Sequence, residues 1–128
     1  MAKRVLLVDD EPHLLLLVEG RLKANGYEVL SADNGQSALE MAKREKPDLI
    51  ILDLMLPKMD GYKVCGLLKK DLRYSKIPII LFSARAQQED VELGKEVGAD
   101  AYITKPFEPQ SFLAKIEELI SKESKCQG

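Results

Sequence analysis

Three carboxylates, a hydroxyl and an ammonium stand at the ends of strand-like apolar runs in this sequence. Asp9 and Asp10 follow Val5–Val8, Asp53 closes Leu49–Leu52, Ser83 follows Ile77–Phe82, and Lys105 follows Ala101–Thr104. In an open α/β sheet, reactive groups lie outside the carboxyl ends of the strands, which is where all five would fall. Adjacent strands run about 4.8 Å apart, so carboxylates on neighbouring strand ends come within a few ångströms of each other. Two such charges at ~4 Å repel by about 4 kcal/mol at an effective dielectric near 20. A divalent cation and the Lys105 ammonium are the available remedies. Oxygen ligands without His or Cys select Mg²⁺ or a similarly hard ion. Any one of these acids could merely cap a helix or face solvent, but five polar groups on one edge argue for a site, with Asp53 at its centre.

The elements that must carry these residues follow from the apolar pattern. Leu49–Leu52 shows no polar alternation, which predicts a strand buried on both faces, as in a parallel sheet covered by helices. Pro57 and Gly61 then turn the chain away. Before it, Arg4–Val8 predicts a first strand, and Pro12 suits the first turn of a helix, where its missing N–H has no partner to lose. That helix carries a stripe of Leu14, Leu15, Val18 and Leu22, and Gly26 is its expected left-handed cap. Tyr27–Ala32 predicts the second strand, and Asp33 or Asn34 caps a helix through Ala38, Leu39 and Ala42. After Asp53 come a helix over Tyr62–Leu72, a strand over Ile77–Phe82 and a polar helix over Gln87–Val97 closed by Gly98. Pro78 is tolerable at the beginning of its strand. A strand over Ala101–Thr104 and a helix from Pro109 to Ile120, striped with Phe112, Leu113, Ile116, Leu119 and Ile120, complete the chain. Five strand–helix alternations predict an α/β fold, a doubly wound five-stranded parallel sheet with helices on both faces.

Composition narrows the function. The 128 residues suit one domain, and a net charge of −2 offers no basic patch for nucleic acid or an anionic membrane. The longest apolar runs, Leu14–Val18 and Leu49–Leu52, fall far short of the ~20 residues of a membrane span. The N-terminus is too short and too acidic for a signal peptide. Cys65 and Cys126 have no metal-ligand spacing and are expected to be reduced thiols in a cytoplasmic protein.

With these residues in place, the sequence resembles the receiver domain of two-component response regulators. The resemblance rests on Asp9-Asp10-Glu11, on Asp53 within Leu-Asp-Leu-Met-Leu-Pro, on Asp60-Gly61, on Ser83-Ala84 and on Lys105-Pro106-Phe107, and it runs from about Lys3 to Ser121. It implies a flavodoxin-like strand order of 2-1-3-4-5 and a receiver over 1–121, with 122–128 a polar tail or the start of a linker. It implies that Asp53 accepts a phosphoryl group from a partner histidine kinase or phosphotransfer protein. Asp10, Asp53 and the Met55 backbone carbonyl would hold Mg²⁺, with Asp9 helping through water. Lys105 and the Ser83 hydroxyl would contact the phosphoryl oxygens, and small Ala84 would leave its backbone N–H accessible. The Lys105–Pro106 bond is expected to be cis. Ser83 and Tyr102 would form the switch that changes the surface of helix 4, strand 5 and helix 5, which controls an effector or output domain. A phosphorylation-dependent homodimer is among the partners the resemblance allows.

Other readings fit less well. A phosphatase of the haloacid dehalogenase type wants a second carboxylate two residues after the nucleophile, where this chain has Met55. A flavodoxin-like FMN carrier needs a Ser/Thr/Gly-rich loop after the first strand, and Asp-Asp-Glu-Pro would repel phosphate. A phosphate-independent pseudo-receiver sits poorly with a full acidic set. Many relatives carry Thr where this chain has Ser83, and Met55 and Arg85 occupy positions that tune dephosphorylation in the family. His13 is expected on a helix surface, outside the chemistry.

Overall fold

The computed structural model describes residues 2–84, 87–105 and 108–127. Strands and helices alternate as β1 Arg4–Val8, α1 Pro12–Ala24, β2 Glu28–Ala32, α2 Gly35–Glu45, β3 Leu49–Asp53, α3 Gly61–Lys70, β4 Ile79–Ser83, α4 Gln88–Glu96, β5 Ala101–Thr104 and α5 Pro109–Gln127. All strand pairs are parallel and the order is β2-β1-β3-β4-β5, the flavodoxin-like arrangement expected.

The sheet is sealed on both sides. Every residue of β3 and β4 is buried, as the unbroken apolar run of β3 requires. Alternate residues feed two cores. Leu6, Val8, Ile50, Leu52 and Leu81 pack with Ala38, Ala42, Val64 and Leu68 of α2 and α3. Val5, Leu7, Leu49, Ile51 and Phe82 pack with Val18, Leu22, Phe112 and Ile116 of α1 and α5. The edge strand β5 is only partly buried.

Local signals in the sequence act as read. Pro12 opens α1 and Gly26 takes φ +89° just past its end. Asn34, not Asp33, caps α2, its side chain accepting the Ser37 N–H at 2.9 Å. Gly98 follows α4 at φ +94°. Cys65 is a buried free thiol, and burial pushes its pKa up to about 12, so it stays protonated and inert.

Among the boundaries that differ from expectation, those of β4, α3 and α5 have a local cause. β4 begins after Pro78, which has no N–H to give, and Asp100 takes the next donor, Ile79 N–H, at 2.8 Å. The other end of β4 runs one residue further, where the Lys105 N–H donates to the Ser83 carbonyl at 2.8 Å and Ser83 stands in the ladder opposite Thr104. α3 stops at Lys70, where Asp71 turns back to accept the Arg73 N–H. α5 continues past Ile120 to Gln127, because Ser-Lys-Glu-Ser-Lys contains neither Gly nor Pro to break it. The expected cis bond before Pro106, and Arg85, lie outside the described residues.

Candidate functional site

The sheet register assembles the site. Val8 pairs with Leu52, so Asp9 and Asp53 are the next residues along adjacent strands. Asp53 in turn pairs with Phe82, and Ser83 pairs with Thr104, with Lys105 one residue beyond. The carboxyl edge thus rises stepwise from Asp9 to Lys105, bringing together residues 96 positions apart.

Asp9 is almost fully buried. One oxygen accepts the Glu11 N–H at 2.9 Å, and the other accepts from Lys105 Nζ at 2.8 Å. Asp53 is 4% exposed; one oxygen accepts the Met55 N–H at 3.4 Å and the other lies 3.6 Å from Lys105 Nζ. Burial, and after it the Asp9 charge, pushes the Asp53 carboxyl up to about 6, against the pull of Lys105 and the Met55 N–H. Asp10 is exposed at the rim.

Oxygen atoms of Asp9, Asp10 and Asp53 all lie within 4.8 Å of one another, so the cluster could hold a metal ion. The fit is chemical as well as spatial. A set of carboxylate oxygens is the donor type of a hard divalent cation, and three such acids converge where Lys105 reaches two of them. The loop after β3 is held close to this cluster. A Cβ on Gly61 would stand 2.5 Å from the Asp53 carbonyl oxygen and 2.9 Å from Leu54 Cα, so only glycine lets α3 begin there. Gly61 N–H also donates to the Leu54 carbonyl at 3.1 Å.

Ser83 is fully buried at the end of β4, and Ala84 beyond it is exposed. Tyr102 is half-buried and pairs with Leu81 across the β4–β5 ladder. Ser83 is the next residue after Leu81 on that face of β4, so Ser83 and Tyr102 occupy the same side of the sheet. Gly94 of α4 lies against the same pair; a Cβ there would be 3.1 Å from Leu81 Cδ1 and 3.2 Å from Tyr102 Cδ2. His13 is exposed on α1, away from these contacts.

Sequence reasoning missed Phe82. Its ring centroid lies 5.0 Å from Lys105 Nζ, and the ring stacks on Phe112 at 5.6 Å between centroids with nearly parallel planes. The lysine is therefore steered by a carboxylate pair and an aromatic face together. An aromatic directly before Ser83, on a strand next to that of Lys105, was the available signal.

The sequence family described as response regulator receiver domain matches residues 5–117. The Bacillus subtilis alkaline phosphatase synthesis transcriptional regulatory protein PhoP is 44% identical over 124 residues, which cover 95% of this chain and 50% of that protein. The chain spans about half the length of the curated relatives it matches. Among solved structures, a CheY-like receiver domain protein from Methanospirillum hungatei aligns over the whole of both chains, at TM-score 0.92 and 31% identity. The receiver domain of a Pseudomonas aeruginosa sensor histidine kinase, solved with a magnesium ion coordinated in its active-site cleft, aligns at TM-score 0.87 and 30% identity over 94% of this chain and 99% of that one. The dehalogenase-type phosphatase and the pseudo-receiver draw no support from these matches. Fold, site and sequence agree that this chain belongs to the response regulator receiver domain family.

Proposed function

We propose that Asp53 is the phosphoacceptor of this receiver. One Asp53 oxygen attacks the phosphorus of a phosphohistidine on a partner kinase or phosphotransfer protein, the P–N bond breaks, and an aspartyl phosphate forms. The observation that carries this reading is the convergence of Asp9, Asp10 and Asp53 beside Lys105 on one strand edge. Asp10, Asp53 and the Met55 carbonyl would hold Mg²⁺, with Asp9 reaching it through water. Bound there, the ion would neutralise charge on the nucleophile and the phosphoryl oxygens. Lys105 pairs with the phosphoryl group as a compact charge, the Ser83 hydroxyl donates to it, and the Ala84 N–H serves a second oxygen.

The signal leaves through Ser83 and Tyr102. Movement of the hydroxyl toward the phosphoryl group vacates space on the sheet face that Tyr102 shares. The contact of Gly94 with the Tyr102 ring supports α4 as the element that feels this change, and with it the α4–β5–α5 surface. The receiver occupies 1–121, and its last helix, α5, continues beyond that to Gln127. The name of the Bacillus subtilis relative points to transcription as the class of output controlled.

The test is a small phosphodonor with Mg²⁺, followed by intact-mass measurement of wild type and Asp53→Asn. One phosphoryl group on wild type and none on the variant is the expected result; equal labelling of both removes the assignment.

A further inference from the structure

The loop between β3 and α3 contains a strained turn whose support comes from a different part of the chain. Met59 N–H donates to the Pro57 carbonyl at 2.8 Å, closing a three-residue γ-turn around Lys58, which stands at φ +69°. A γ-turn with positive φ at a residue bearing a side chain is rare and strained, and such a conformation persists only where its surroundings over-determine it. The surroundings here are the first residue of α2. Gly35 N–H donates to the same Pro57 carbonyl at 3.2 Å, tying the turn to the helix start.

Gly35 is not in the left-handed region, so its backbone does not call for glycine. Space does. A Cβ at Gly35 would collide with the Met59 carbonyl oxygen and stand 2.7 Å from both the Met59 carbonyl carbon and its Cβ. The helix start cannot easily retreat, because Asn34 caps it through Ser37 N–H and its carbonyl accepts the Ala38 N–H at 3.0 Å. The loop must give instead. Pro57 is only two residues from Met55, whose N–H donates to Asp53, and the far end of the loop is pinned where Gly61 meets Asp53 and Leu54.

We propose that Gly35 is a positioning residue for the cation site: its missing side chain and its N–H hold the Pro57–Met59 turn and so fix the Met55 backbone beside Asp53. The inference rests on the reading of Asp10, Asp53 and the Met55 carbonyl as Mg²⁺ ligands. It assigns the outer support of that site to α2, which carries none of the chemistry.

Titration of the full chain with Mg²⁺, followed by backbone amide NMR, tests it. Gly35→Ala should raise the Mg²⁺ dissociation constant at least five-fold, with amide changes over residues 53–61 and little change in β4 and β5. Leu68→Ala, a core truncation away from the loop, should lower the melting temperature and leave the dissociation constant unmoved. A Gly35→Ala constant within two-fold of wild type overturns the proposal. If Gly35→Ala does not fold, the same substitution is read in a Lys58→Gly background, where the turn can yield without strain. There, a five-fold rise over Lys58→Gly alone supports the proposal and a change within two-fold overturns it. A wild type that does not respond to Mg²⁺ removes the metal reading itself, and this inference with it.

Discussion

Lys105 Nζ lies 2.8 Å from a carboxylate oxygen of Asp9 and 3.6 Å from one of Asp53. The Lys105 ammonium therefore favours the acid that is not the proposed acceptor. Asp53 keeps a carboxyl raised to about 6, buried and next to the Asp9 charge. Its ionised form is held at a cost that a cation or a phosphoryl transfer can relieve.

That cost should be visible as stability. A carboxyl raised in the folded state from 3.8 to about 6 makes the fold less stable as pH rises through that window, with the full penalty present above it. Two pKa units correspond to about 3 kcal/mol, an upper bound for removing the charge. Asp53→Asn is expected to be more stable than wild type by about 1–3 kcal/mol at pH 8 without divalent ions. The gain should shrink toward zero near pH 4, where folded wild type already carries the proton. Urea unfolding of both proteins at the two pH values checks this, and an equal difference at both would contradict it.

Metal affinity should follow the same group. Binding needs the Asp53 carboxylate, so protons compete with Mg²⁺. Affinity is expected to be flat above about pH 6 and to fall roughly tenfold per pH unit below it, until other ligands titrate. Calorimetric titrations from pH 5 to pH 8 measure the profile. A constant affinity across that range would mean that Asp53 is not a ligand.

Removing the lysine tests the balance from the other side. Lys105→Met keeps most of the stem but removes the ammonium that lies over Phe82 and pairs with Asp9 and Asp53. Breaking a buried pair by removing one partner is strongly destabilising; with Lys105 partly exposed, a loss of about 1–3 kcal/mol at pH 8 is expected. Millimolar Mg²⁺ should restore part of it. Denaturation with and without the ion provides the reading, and a variant as stable as wild type would show that the ammonium is not needed for charge balance.

The switch is separable from the metal. Ser83→Ala is expected to bind Mg²⁺ as wild type does and to accept phosphate, but with a smaller phosphorylation-dependent NMR shift at Tyr102. An undiminished Tyr102 shift would take Ser83 out of the relay.

Much of this arrangement was legible in the sequence for identifiable reasons. The unbroken apolar run of β3 could only be a strand buried on both faces, and Gly26, Asn34 and Gly98 are local signals that act within a few residues. The site residues were legible because each ends a strand, and parallel strands share one carboxyl edge. What was hidden depends on register and contact. Lys105 choosing Asp9 over Asp53, Phe82 lying beneath it, and Gly35 bracing Met59 are meetings between distant segments that no periodicity encodes. The span of β4 belongs with these: its ladder starts only after Pro78, and its last rung, Ser83 opposite Thr104, is supplied by β5.

The stepwise edge has a consequence for biosynthesis. Its first contributor is Asp9 and its last is Lys105, and the two meet directly. A nascent chain that has released β1 through β4 already holds three converging carboxylates, while Lys105, which pairs with two of them, is still to be made. Until β5 docks, the acidic edge lacks the Lys105 ammonium that pairs with it in the finished sheet. A truncation before Ala101 would thus keep the net charge of −2 while stripping the three acids of the ammonium they face in the finished sheet.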